Sequence, residues 1–179
     1  MKLLFASDIH GSASAARNVI NTFEQEKADY LVFLGDALYH GPRNPLPDEY
    51  NPAEVARLLN SIASKIIAVR GNCDAEVDQM LLDFPITADY NVIPFENFKI
   101  FTSHGHLYSP ENLPDGLTSK DIFVSGHTHI PIIEKKDGQP VIFNPGSAAL
   151  PKENHPATYA IIDAGEIWIK TFDGAVYGV

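Results

Sequence analysis

Three short apolar runs stand in the first half of the chain, Lys2–Ser7, Tyr30–Leu34 and Ile66–Val69. Each reads as a strand buried on both faces, because apolar residues follow one another without polar alternates. Between them the spacing turns helical. Ser12 or Ser14 caps a helix running to about Glu26, with Ala15, Val19, Ile20 and Phe23 on one face. Ala53–Ala63 turns Val55, Leu58, Leu59 and Ile62 inward, and Glu76–Leu82 reads as a further short helix. Strand, helix, strand, helix, strand leaves few topologies open, chiefly a parallel sheet built by crossovers.

The second half is rich in strands: Asn91–Pro94, Lys99–Ser103, Ile122–Ser125, Ile132–Glu134, Val141–Asn144, Thr158–Asp163 and Glu166–Phe172. Lys136-Asp137-Gly138 and Asp163-Ala164-Gly165 have the chemistry of hairpin turns. The economical arrangement is an α/β fold of two mixed β-sheets packed on each other and flanked by helices. With 179 residues, 45% of them hydrophobic, a single domain over 1–179 can bury a core. Ala37–Pro52 stands apart. It holds Pro42, Pro45, Pro47 and Pro52 without apolar periodicity, and so long a loop is either functional or a tolerated surface insertion.

Charge narrows the partners. Thirteen Lys and Arg against 23 Asp and Glu give a net charge of −10, which repels extended nucleic acid and anionic membrane. A small anionic substrate is still open to such a chain, since a bound metal outweighs the global field locally. Cys73 is the lone cysteine, so no internal disulfide forms, and a reducing compartment follows as the simplest expectation. The apolar start, Met1 to Ser7, is too short for a signal segment or a membrane span, and the expectation is a cytoplasmic protein.

Polar residues gather where the apolar runs stop. The first run ends in Asp8-Ile9-His10-Gly11, the second in Gly35-Asp36, the third in Arg70-Gly71-Asn72-Cys73-Asp74. The Lys99 and Ile122 strands end in Ser103-His104-Gly105-His106 and Gly126-His127-Thr128-His129. Taken singly, each has an ordinary reading as a cap or turn. Ligands of α/β sheets lie beyond the carboxyl ends of the strands, so five such ends point to one convergent site. Alternation in an extended segment would set His127 and His129 on one side. Asp8, His10, Asp36, Asn72, His104, His127 and His129 supply two carboxylates, four imidazoles and an amide oxygen. That mixed set suits Mn²⁺, Fe²⁺, Co²⁺, Ni²⁺ or Zn²⁺ rather than Ca²⁺ or a structural zinc. Seven ligands exceed what one catalytic ion needs. They suit two ions about 4 Å apart sharing a carboxylate and clamping a phosphate.

The order D-x-H, G-D, G-N-x-D, H-G, G-H-x-H resembles the calcineurin-like metallophosphoesterases, and Gly-Asn-Cys-Asp in a short chain resembles their small YfcE-type bacterial and archaeal phosphodiesterases. The resemblance implies a two-sheet β-sandwich flanked by helices. It implies Asp8, His10 and His129 on a first metal, Asp36 bridging, and Asn72, His104 and His127 on a second, with Mn²⁺ the first expectation. It implies hydrolysis of a small phosphodiester by in-line attack of a metal-bridging hydroxide. The alternatives are a monoesterase or nucleotide hydrolase of the same fold, or a protein-binding scaffold like the family's retromer relative. A scaffold is free to lose ligands, and all seven are present. The resemblance also leaves room for a homo-oligomer, with the 37–52 loop the first candidate for its contact.

Cys73 departs from the family pattern, where many members carry a histidine thought to protonate the leaving oxygen. A thiol with an ordinary pKa of about 8.5 donates a proton but carries no positive charge, so acidic leaving groups and diesters are expected to be favoured. Asp74 has two readings, orienting a neighbouring imidazole or capping the helix at Glu76. His106 reads as peripheral, Tyr39, His40 and Arg43 as near the substrate's far side or in a contact, and Asn144-Pro145-Gly146-Ser147 as a turn supporting the site from behind.

Overall fold

A computed structural model describes residues 1–95 and 97–178. Among the described residues ten strands form two five-stranded sheets. The first holds β1 (Leu3–Ala6), β2 (Tyr30–Phe33), β3 (Ile66–Ala68), β9 (Thr158–Asp163) and β10 (Glu166–Thr171) in the order β10-β9-β1-β2-β3. The second holds β4 (Tyr90–Phe95), β5 (Phe98–Ser103), β6 (Ile122–Val124), β7 (Ile132–Glu134) and β8 (Val141–Asn144) in the order β4-β5-β6-β8-β7. Three parallel strands lie in each, β1-β2-β3 and β5-β6-β8, and antiparallel strands complete both. Pro94 falls on β4, an edge strand, where its missing N–H is tolerated.

Strand alternation divides the core. Leu3 and Phe5 of β1 point between the sheets, with Val32, Leu34, Ile100, Ile122, Val124 and Phe143. Leu4 and Ala6 point the other way, onto α1 (Ala13–Glu26) and α2 (Pro52–Asn60) with Val19, Phe23, Val55 and Leu59. Ser12 caps α1 by accepting from the Ala15 amide, and Asn51 caps α2 just before Pro52. Both helices therefore cover the outer face of the first sheet. The outer face of the second is closed by the chain after β5, whose Tyr108, Leu113 and Leu117 pack on Phe101, Phe123 and Ile142. The expected helix over 53–63 ends at Asn60 and tightens into a 3₁₀ turn at Ala63–Lys65, and the one over 76–82 is 3₁₀, at Glu76–Met80. Among the described residues no helix is long and apolar enough to cross a membrane.

Candidate metal centre at the carboxyl edge of the sheets

The six parallel strands bring their carboxyl ends to one edge, and the singled-out polar residues follow those ends. Asp8 and His10 lie beyond β1, Asp36 beyond β2, Asn72 beyond β3, His104 beyond β5, His127 and His129 beyond β6. The backbone there is unusual. Asp8, His10, Asp36, His127 and His129 all hold positive φ, between 51° and 67°. Non-glycine residues pay for this conformation with about 1–2 kcal/mol each, and such strain concentrates at functional sites. It also corrects one expectation. His127 and His129 do not alternate along an extended segment; a tight turn, with the Thr128 amide donating to the Gly126 carbonyl at 2.7 Å, aims each imidazole at a different neighbour.

Glycine permits this crowding. A Cβ on Gly71 would sit 2.0 Å from Asp36 Oδ1 and 2.4 Å from its amide nitrogen. Gly35, at φ +96°, faces the Gly71 backbone with no room for a side chain. Asp74 binds the two turns together. Its carboxylate accepts from the amides of Asp36 (2.8 Å), Ala37 (2.8 Å) and Gly71 (2.7 Å). It neither caps the 76–80 turn nor touches an imidazole; it holds the backbone of Asp36. Burial pushes its pKa up to about 6 against those three donors, and the nearby Asp36 charge adds to the rise.

The imidazoles are oriented from behind. Nδ1 of His10 faces the Tyr39 carbonyl (2.9 Å), that of His104 the Leu34 carbonyl (2.7 Å), that of His129 the Leu150 carbonyl (2.6 Å). A carbonyl only accepts, so each Nδ1 carries a proton and Nε2 is the nitrogen each ring turns inward. His10 and His129 then oppose Nε2 to Nε2 at 3.3 Å. Both lie beside Asp8 Oδ1, at 3.5 and 3.2 Å, a buried oxygen without a hydrogen-bond partner. His104 Nε2 meets Asn72 Oδ1 at 3.0 Å and His127 Nδ1 at 3.3 Å. Asp36 Oδ2 lies between the groups, 3.6 Å from His10 Nε2 and 3.4 Å from His104 Nε2.

This is a knot of acceptors short of donors, and a buried charge of that kind costs several kcal/mol unless compensated. Its field calls for a cation. Burial disfavours the His104 imidazolium, yet Asp36 and Asp8 outweigh it and push the pKa up to about 9. Burial likewise opposes ionisation of Asp8, yet His10 and His129 hold its carboxyl well below the usual range. Among the described residues three overlapping ligand groups emerge: Asp8 with His10 and His129, Asp8 with Asp36 and His104, and His10 with Asp36 and Cys73. The donors fit divalent ions of the first transition row.

Other residues take clear places. Cys73 is half-buried beside His10 and Asp36; its amide donates to Asp36 Oδ1 at 2.8 Å. Burial, then the Asp36 charge, pushes its thiol up to about 12, so the ordinary thiol acidity expected from the sequence is not kept. Asn144 donates to the Gly126 carbonyl and Ser147 to the Asp8 carbonyl, which makes that turn the brace it was expected to be. His106 packs edge-on against His104 with ring centroids 5.4 Å apart and does not line the cleft. The cleft above the cluster measures about 440 Å³ and is walled partly by Gly41–Asn44 of the proline-rich loop. Lys152 also lines it. No motif marks Lys152, which reaches the site through the turn after β8.

Two mixed sheets with a carboxylate–imidazole cluster on their shared carboxyl edge define a metallophosphoesterase. The chain belongs to the calcineurin-like phosphoesterase superfamily, whose domain it matches over residues 1–166. It is 55% identical over 163 residues to phosphodiesterase YfcE of Escherichia coli strain K12, covering 91% of this chain and 88% of that one. A solved structure of YfcE, described as a phosphoesterase from E. coli, superposes with a TM-score of 0.95 at 50% identity, over 99% of this chain and 97% of that one. A phosphodiesterase of Methanocaldococcus jannaschii is 27% identical over 152 residues, 82% of this chain and 83% of that one.

Proposed function

We propose that the chain is a two-metal phosphodiesterase acting on a small phosphodiester. The observation that carries this reading is the convergence of Asp8, Asp36, His10, His104 and His129 with their lone pairs turned on one another. In this reading Asp8, His10 and His129 would hold one ion, Asn72, His104 and His127 the other, and Asp36 would be shared between them. The placing of Asp36 Oδ2 between His10 and His104 supports the bridge. When bound, two divalent ions, Mn²⁺ first among them, supply charge to the phosphoryl oxygens and acidify a water for in-line attack.

The chain's own part is positioning. Carbonyls behind three imidazoles hold the proton on Nδ1, so Nε2 is the nitrogen each ring turns toward the cluster and would offer to an ion. Asp74 fixes the Asp36 backbone, and Ser147 that of Asp8, so both carboxylates are set before substrate arrives. Cys73, at the cleft wall, stays a neutral thiol and offers little proton to a departing alkoxide, which favours esters whose leaving groups need none. A cleft of about 440 Å³ on a chain of net charge −10 favours a small ester over a nucleic-acid strand. A cytoplasmic location is part of the same reading, from the single cysteine.

The test is a screen of phosphodiesters against phosphomonoesters with chelated protein and with protein reloaded separately with each divalent ion. The reading expects turnover only after reloading, and diesters with acidic leaving groups cleaved fastest. Turnover that survives chelation, or monoesters cleaved in preference, would contradict it.

A further inference from the structure

The cleft carries a charge pattern that the metal reading leaves unused. Asp36 is the sole carboxylate-bearing residue among the cleft's described lining residues, and it is only 2% exposed. The other charged side chains of the lining, Arg43 and Lys152, are both exposed cations. Among the described residues neither forms an ion pair, so both charges are free to meet a ligand. A mouth with two unpaired cations on a chain with 23 acidic residues and 13 Lys and Arg is a local reversal of the global field.

Both cations stand on anchored backbone. Arg43 lies between Pro42 and Pro45, whose rings fix φ. Asn44 beside it donates to the His40 carbonyl at 2.8 Å. The loop is tied at both ends to the turn after β1, the Gly11 amide donating to the Ala37 carbonyl (2.8 Å) and the Asn51 amide to the Gly11 carbonyl (2.8 Å). The Lys152 amide donates to the carbonyl of His129, one of the candidate ligands, at 3.4 Å.

We propose that Arg43 and Lys152 form a subsite for a second phosphate, carried on one arm of the substrate, so that the preferred diesters bear a terminal phosphomonoester. The inference rests on the phosphodiesterase reading for the reacting group and extends it to the arm. Depth separates the two roles. The reacting phosphoryl must reach the buried cluster, while the exposed cations meet what protrudes from it. Charge selects the ligand, since a guanidinium fork and an ammonium match a dianionic phosphate better than a single carboxylate.

The test pairs two substrates at one ionic strength, the p-nitrophenyl phosphodiester of thymidine and the same ester phosphorylated on its free sugar hydroxyl. The metal-loaded wild type should prefer the phosphorylated ester in kcat/KM by about ten-fold or more, the scale of a charge-assisted contact. In the doubly substituted Arg43→Gln, Lys152→Gln protein that ratio should fall toward one. Calorimetry gives a readout independent of turnover: thymidine bisphosphate should bind more tightly than the monophosphate, with the advantage lost in the double variant. A wild-type ratio near one in both assays overturns the subsite. So does an equal loss on both esters, which would place the cations on the reacting phosphoryl. If neither ester is cleaved yet the bisphosphate preference persists and depends on the pair, the phosphodiesterase reading fails and the subsite stands.

Discussion

Single atoms decide how closely the turns after β2 and β3 approach. Gly71 lies against Asp36 so tightly that one added carbon would fall 2.0 Å from its carboxylate oxygen. Gly71→Ala should therefore lower stability by about 1–3 kcal/mol, the usual cost of overpacking, and abolish metal-dependent turnover by displacing Asp36. A chemical-denaturation midpoint and a metal-loaded assay check this together; an alanine variant of normal stability and activity would show that the turns have room. Cys73 is a second decisive position. Its thiol, held up to about 12 by burial and Asp36, is a poor acid. Replacing it with histidine should raise turnover by about ten-fold or more on esters with poor leaving groups and much less on nitrophenyl esters, following the usual worth of general acid catalysis. A flat response across a leaving-group series would remove Cys73 from the chemistry.

Away from the site, α1 is fastened to the first sheet through Glu26. Its carboxylate bonds Lys2 of the N-terminal segment (2.7 Å) and Tyr159 of β9 (2.9 Å), and pairs with Lys170 of β10. Burial opposes the charge, but Lys170, Lys2 and Tyr159 outweigh it and lower the pKa from an ordinary 4.5 to about 2. The folded value lies below the unfolded one, so the stabilisation is complete above about 4.5 and fades as pH falls toward 2. Glu26→Gln should be less stable than wild type at neutral pH, and the gap in urea midpoints should narrow as the buffer is taken from pH 7 to pH 3. A gap independent of pH would assign the loss to packing. At this scale the sequence was easy to read where apolar runs were continuous, as in β1, β2, β6 and β8, because full burial needs no alternation. The turn at 76–80 was less legible: Glu76, Val77 and Met80 are exposed, and its short 3₁₀ form is set by Asp78 accepting from the Ala75 amide rather than by an apolar face. The positive-φ turn through His127 and His129 left no trace in spacing, since its cause lies in contacts with Asp8 and Leu150 far along the chain.

The whole molecule explains why seven separated residues meet. Parallel strands in both sheets end on one edge, so every strand-end turn delivers its side chains to the same place. That much followed from the strand order, and it made the ligand candidates legible. What strand order does not carry is which face each helix covers, or that Lys152 enters the cleft by way of the turn after β8. The central claim is that the edge binds two divalent ions through a shared Asp36. Chelated protein titrated with Mn²⁺, with bound metal counted by elemental analysis, tests it most directly. The account predicts two ions per chain in the wild type and weakened retention of both in Asp36→Asn, with the fold intact by circular dichroism. A single ion in the wild type, or two held undiminished by the variant, would contradict it.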